Sequence, residues 1–162
     1  LAQRHQVTGV IHRLVSILHR DRVLHGTRSR GHSCCFHILQ TPRLIGNIAV
    51  ESRISPQPIV GYENHGGRTH LGPGVEPLGR VLYGHGNDGQ TGWEGCLYKN
   101  VMGTYVHGPL LPKNPGVADH LIRRALERKY GASELDPLDD EEELAANKVM
   151  FDRLMAGEVK ER

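Results

Sequence analysis

The sequence predicts an α/β layered body, and three observations carry that expectation. Short runs rich in β-branched and apolar residues recur between positions 43 and 106, separated by Gly-rich turns. Two amphipathic segments with recognisable helix ends close the chain. The length, 162 residues, suits one domain able to bury roughly 70% of its unfolded surface. Strands followed by packing helices imply a sheet with helices laid against it.

The elements follow in order. Residues 6–24 place Val10, Ile11, Leu14, Val15, Ile17 and Leu18 at helical spacing and read as a helix. From Gly26 to Gln40 neither a helical nor a strand period holds, so no element is expected there. Arg43 to Glu51 (RLIGNIAVE) reads as a strand ending at the turn residues around Pro56 and Pro58. Ile59, Val60 and Tyr62 begin a second strand, closed by Gly66 and Gly67. Gly79 to Tyr83, Glu94 to Tyr98 and Val101 to Val106 are further short strands, divided by turns such as GHGNDG at 84–89. The first closing helix has Asn114 as N-cap, Pro115 at its first position and Gly131 as its stop. Its buried face would be Val117, Leu121, Ile122, Ala125 and Leu126. The last helix opens on Asp139, Asp140 and Glu141 to Glu143, acids favoured by the helix dipole, and would bury Leu144, Phe151, Leu154 and Met155.

A net charge of +2 conceals a split. Residues 1–41 hold six arginines, six histidines and a single acid, Asp21, whereas the rest of the chain is slightly acidic. This divides the chain into an atypical Arg/His-rich segment (1–41), a main body (42–156) and a charged tail (157–162). The three cysteines, with Cys34 and Cys35 adjacent and Cys96 remote, exclude a disulfide framework and point to a reducing, cytoplasmic setting. No run approaches the roughly 18 apolar residues of a membrane span, and the first residues lack the apolar core of a secretory signal.

Several chemical readings fail on spacing. GHGNDG matches G-x-G-x-x-G, but the residues after it (QTGWEGCLY) read as turn and strand rather than the helix a pyrophosphate needs, so a β-turn is expected. His5, His12 and His19 would share a helix face yet stand about 10 Å apart, too far to share one ion. His32, Cys34, Cys35 and His37 have no second ligand pair at zinc spacing, and no metal site is expected. The arginines of the head come with one aromatic, Phe36, and no reader motif, which argues against nucleic acid.

Two stretches are more informative. IVGYENHGGRTHLG (59–72) gathers Glu63, Asn64, His65 and Arg68 around the Gly66-Gly67 turn at a strand end. KNVMGTYVHGPLLPKNP (99–115) puts His107 directly after a strand and before Gly108 and Pro109. A histidine so placed suits general-base work, and it equally suits an ordinary surface histidine. The residues alone leave both readings open.

RLIGNIAVES, GYENHGGRTHLG, PLGRVLYGHGNDG and WEGCLYKNVMGTYVHGPLLPKNP, with the closing helices, resemble the cobyric-acid-synthase-type (CobB/CobQ-like) class I glutamine amidotransferases. Among these the likeness is greatest to the glutaminase subunits of lipid II isoglutaminyl synthases, over about Pro42 to Leu154. The resemblance implies a flavodoxin-like open α/β sheet and hydrolysis of glutamine to glutamate and ammonia. It implies a Mur-ligase-like synthetase partner (MurT), which uses ATP to amidate the D-glutamate of lipid II, and no cofactor in this subunit. Carried over by position, His107 matches the catalytic histidine, and Arg43 the arginine beside the glutamine pocket. Glu63, Asn64, His65, Gly66, Gly67 and Arg68 match the turn lining the site.

The departures bear on activity. The family's nucleophile lies in a Cys-Gly-Gly-Tyr elbow upstream of the arginine strand, and no such motif occurs here. Cys34 and Cys35 lack flanking glycines, and Cys96 falls inside an expected strand. Pro109 stands where many class I enzymes carry a glutamate two residues after the histidine, so the orienter of His107 is unassigned. The expectation is a domain whose N-terminal part is missing or altered, with residues 1–41 a frameshifted or mis-started reading or a disordered segment. Alternatives are a noncatalytic partner-binding scaffold and a cobalamin-pathway amidotransferase.

Overall fold

The computed structural model describes residues 35–131 and 134–159, with side chains from residue 38. The chain divides into two compact units, Leu1–Ser33 and Cys34–Arg162. The expectations placed on the head, including the helix over 6–24 and the side chains of Cys34, Cys35 and His37, lie outside the described residues.

The second unit holds six strands and three helices among the described residues: β1 (Cys35–Glu51), β2 (Ile59–Leu71), β3 (Gly79–Tyr83), β4 (Trp93–Glu94), β5 (Cys96–Tyr98), β6 (Val101–Gly103), α1 (Leu110–Lys113), α2 (Pro115–Tyr130) and α3 (Glu141–Met155). Four strands form a sheet in the order β2-β1-β3-β4, and β5 pairs with β6 in a separate hairpin. Every strand pair is antiparallel. The connections explain this. Seven residues separate β1 from β2 and nine separate β3 from β4, too few for the crossover a parallel pair requires. The α/β body is observed, and its sheet among the described residues is antiparallel.

The central strand reads Ile48-Ala49-Val50 without polar interruption because both of its faces are covered. One face sets Ile48, Val50 and Ile59 against Leu78, Val106 and Val117, with Leu110, Leu111 and Leu121 packed on from α1 and α2. The other sets Ala49 and Val60 against Leu154, with Met150 and Phe151 from α3. Each such side chain contributes about 1.5–3 kcal/mol on burial when large, and together they fix the register on which the site depends.

Several boundaries differ from expectation, each for a physical reason. β1 begins at Cys35 rather than Arg43, because its first residues pair with the far half of β2 and Cys35 lies opposite Leu71. β2 runs through Gly66 and Gly67 instead of ending there. The ladder shifts register between Leu39 and Leu44, where the Thr41–Pro42 peptide is cis. The run 94–98 breaks at Gly95, whose φ is 62° and whose Cβ would collide with the carbonyl of Gly103. The run 101–106 leaves the ladder after Gly103.

α2 starts at Pro115 and stops at left-handed Gly131 as expected, but the Asn114 side chain makes no capping bond. Its buried face is Val117 and Ala118, with Leu121 half-buried and Ala125 exposed. In α3 the buried positions are Asn147 and Leu154, and Met155 is exposed.

Candidate functional site

Between Gly61 and His65 β2 alternates: Tyr62 and Asn64 face outward, whereas Gly61, Glu63 and His65 are buried. Successive side chains of the 63–68 segment are thus divided between the two faces of the sheet.

The outward face carries the expected substrate residues. Arg43 sets its Nε and Nη2 on the side-chain oxygen of Asn64, at 3.0 and 2.9 Å, and Nη2 also donates to the Asn64 carbonyl at 3.0 Å. His107 joins the edge of β2 by a two-way bridge: its N–H donates to the Tyr62 carbonyl at 2.6 Å, and the Tyr62 N–H donates back at 3.3 Å. Paired residues of an antiparallel bridge share a face, so His107 projects on the side of Tyr62, Asn64 and Arg43. Val106 confirms the alternation by packing into the opposite core. His107 thus follows an irregular segment and takes strand geometry at its bridge to Tyr62.

Beneath lies a buried polar network in which Glu63, His65 and Arg68 are joined by Asn87, Asp88 and Glu94, whose burial the sequence does not announce. Glu63 is fully buried and accepts from the backbone N–H groups of His85, at 2.6 Å, and Gly86, at 3.0 Å. The GHGNDG loop is a turn, as expected, and its amides hold an anion, but the anion is the protein's own carboxylate. Gly84, at φ 100°, is required here, because a Cβ would come within 2.8 Å of Glu63 Oε1. Asn87 and Asp88 complete the loop. The Asn87 amide exchanges two hydrogen bonds with the backbone of Gly95, and Asp88 Oδ1 accepts from the N–H groups of Gln90 and Thr91.

His65 donates from Nδ1 to the Gly67 carbonyl at 2.8 Å, lies 3.4 Å from Glu63 through Nε2, and stacks on Tyr105 with centroids 3.6 Å apart. Arg68, also buried, donates to the carbonyls of Pro42 and Gly66 and so braces the register shift in β1. Glu94 accepts from the Thr104 hydroxyl and the Tyr105 N–H at 2.8 and 2.6 Å, which is what pulls residues 104 and 105 out of the ladder. A glutamate at the end of so short a strand carries no sequence signal of burial; only the fold shows it.

Burial pushes the Glu94 carboxyl above its ordinary range, with the nearby Glu63 charge acting in the same direction; the Thr104 and Tyr105 donors and His65 oppose it. Its Oε2 is buried with no hydrogen-bond partner among the described residues. The folded state therefore holds a proton that the unfolded chain releases. Unfolding free energy is expected to fall as pH rises from the unfolded carboxylate value, about 4.3, through the raised folded value. Denaturant melts at a series of pH values check this, and Glu94→Gln should flatten the decline. A flat wild-type profile would contradict it.

Among the described residues no group of three His, Cys, Asp or Glu is placed to hold a metal ion, and no helix is long and apolar enough to cross a membrane. Cys96 sits half-buried in the β5–β6 hairpin.

The chain is 46% identical over 114 residues to the lipid II isoglutaminyl synthase (glutamine-hydrolyzing) subunit GatD of Staphylococcus aureus, covering 70% of this chain and 46% of that protein. It is 45% identical over 89 residues to the Streptococcus pneumoniae subunit of the same name, covering 55% and 34%. A probable cobyric acid synthase of Methanothermobacter thermautotrophicus is 38% identical over 112 residues, covering 69% and 21%. The chain thus spans less than half the length of these relatives. The profile of the CobB/CobQ-like glutamine amidotransferase domain matches residues 33–115, a stretch that includes Arg43, Glu63, Asn64, His65, Arg68 and His107. With half of its length and all of these residues inside that match, the chain belongs to the CobB/CobQ-like glutamine amidotransferase family.

Proposed function

We propose that this chain is the part of a glutaminase subunit that carries the general base and the arginine for the substrate carboxylate. The reaction would be hydrolysis of glutamine to glutamate and ammonia, for amidation of the D-glutamate of lipid II in peptidoglycan synthesis. A Mur-ligase-like synthetase (MurT) would be the partner that consumes ATP and receives the ammonia. Residues 42–156 would then be the C-terminal part of a flavodoxin-like domain. The observation that carries the reading is the shared face of His107 and Arg43, supported by relatives named for this activity.

In the mechanism, His107 takes the proton of a cysteine thiol as the sulfur attacks the glutamine carboxamide, and returns it to the leaving ammonia. Water then releases glutamate from the thioester. Arg43 already engages its Nε–Nη2 edge with Asn64, so a substrate carboxylate would meet the guanidinium from its Nη1 side. Asn64 acts as a splint that holds the guanidinium flat over β2.

No Cys-Gly-Gly-Tyr elbow is present, so this chain is expected to release little or no glutamate, with or without the synthetase. Joining residues 42–162 to an N-terminal part that carries the family's Cys-Gly-Gly-Tyr elbow should restore turnover. In that chimera His107→Ala is expected to lower kcat by about 10²–10⁴-fold. A folded chimera that binds the synthetase without releasing glutamate would favour the noncatalytic scaffold. Turnover by the native chain that is lost in His107→Ala but kept in Cys34→Ala and Cys35→Ala would overturn the account of the missing nucleophile.

A further inference from the structure

Alternate residues of an antiparallel strand aim their N–H and C=O at the same neighbour, so the outer edge of β2 presents Val60 and then Tyr62. Tyr62 is met by the backbone of His107. Val60 is met by a side chain. Asn114 Oδ1 accepts from the Val60 N–H at 2.8 Å, and Asn114 Nδ2 donates to the Val60 carbonyl at 3.0 Å. An amide side chain has here taken the place of a strand residue, 54 positions away in sequence.

The same amide is otherwise saturated. Its nitrogen also donates to the Leu110 carbonyl at 2.7 Å, and its oxygen also accepts from Asn147 Nδ2 at 3.1 Å. Two donors and two acceptor sites are all that an asparagine offers, and all four are used in a buried position. Asn147 reaches from α3, and the two N–H bonds of its amide are shared among Asn114 Oδ1 and the carbonyls of Pro58 and Lys113, the latter two at 3.0 Å each. The segment from His107 to Asn114 is therefore fastened to one strand edge at both of its ends.

We propose that Asn114 is a positioning residue for His107: its amide, locked by Asn147, fixes the loop that sets where the imidazole stands on the open face. The role assigned to His107 rests on the glutaminase reading; the clamp itself does not. Asparagine is specifically required, because an aspartate of the same shape would turn a carboxylate oxygen toward the carbonyls of Val60 and Leu110 and could donate to neither.

The test is amide hydrogen exchange on the full chain with Asn114→Asp and Asn114→Ala. At neutral pH, protection at Tyr62 and His107 should fall roughly tenfold or more relative to that at Ile48 and Val50 in the central strand. On acidification, protection corrected for intrinsic rate should recover in Asn114→Asp, whose neutral carboxyl regains one donor, and should not recover in Asn114→Ala. A merely structural role would lower all four sites together and show no selective recovery. Asn114→Ser is the milder variant if either substitution lowers overall stability, and it is read by the same ratio. Unchanged protection at Tyr62 and His107, or a fall in step with Ile48 and Val50, overturns the proposal. In the chimera with turnover, kcat should fall while KM for glutamine holds. Exchange needs no turnover, so a chimera without glutaminase activity would refute the functional reading and leave the clamp to be judged separately.

Discussion

Glu63→Ala is expected to lower the unfolding free energy by about 3–5 kcal/mol, the largest effect of any single substitution considered for this fold. The carboxylate is fully buried, and its removal leaves the N–H groups of His85 and Gly86 without an acceptor. Each stranded donor costs about 1–3 kcal/mol, and the cavity adds to the sum. Glu63→Gln should cost less, about 1–3 kcal/mol, because one oxygen remains to accept while the new NH₂ confronts a donor. The corresponding fall in Tm for the alanine variant is on the order of 10 °C. Thermal or urea melts decide the matter, and a loss within about 1 kcal/mol would mean that the 84–89 loop stands without its internal anion.

Gly61→Ala should be nearly as damaging and more local. A Cβ there would lie 2.4 Å from Val106 Cγ1 and 2.7 Å from the carbonyl oxygen of His107. The second atom is backbone and has no rotamer to escape into, so the His107 strand must move off β2. Overpacking of this kind costs about 1–3 kcal/mol, to which loss of the Tyr62 bridge adds. Gly46→Ala supplies the control, since nothing stands within 4 Å of the position its Cβ would take. That change should be neutral or stabilising by about 0.4–1 kcal/mol. Equal losses in the two variants would show that the close approach at Gly61 is not what seats His107.

What could be read in advance follows from where the information lies. β3 has the expected ends, and α2 the expected start and stop, because a proline and a left-handed glycine announce themselves locally. His107 and Arg43 were legible through the family likeness, and the sheet register then placed both on one face. The first residues of β1 were not legible. Cys35 to Gln40 have no period of their own and are extended because β2 runs alongside them. The strand expected at 101–106 was overextended because Glu94 intercepts the Tyr105 N–H. Asn87 and Asn114 lie in connections, Glu94 in the two-residue β4 and Asn147 in α3, and all four were missed as buried groups because a polar side chain does not disclose that it will be enclosed. Asn114 was read as a helix cap, a sound local inference overridden by a strand edge that lies far off in sequence.

The residue after Asn114 gives the clamp a further property. Asparagine side chains convert spontaneously to aspartate when the backbone nitrogen of the next residue attacks the amide carbon and closes a succinimide ring. Pro115 has no N–H with which to do so. The substitution most harmful to the clamp is thus the one that chemical ageing is least able to make at this position. The proline that opens α2 also preserves the amide that seats His107.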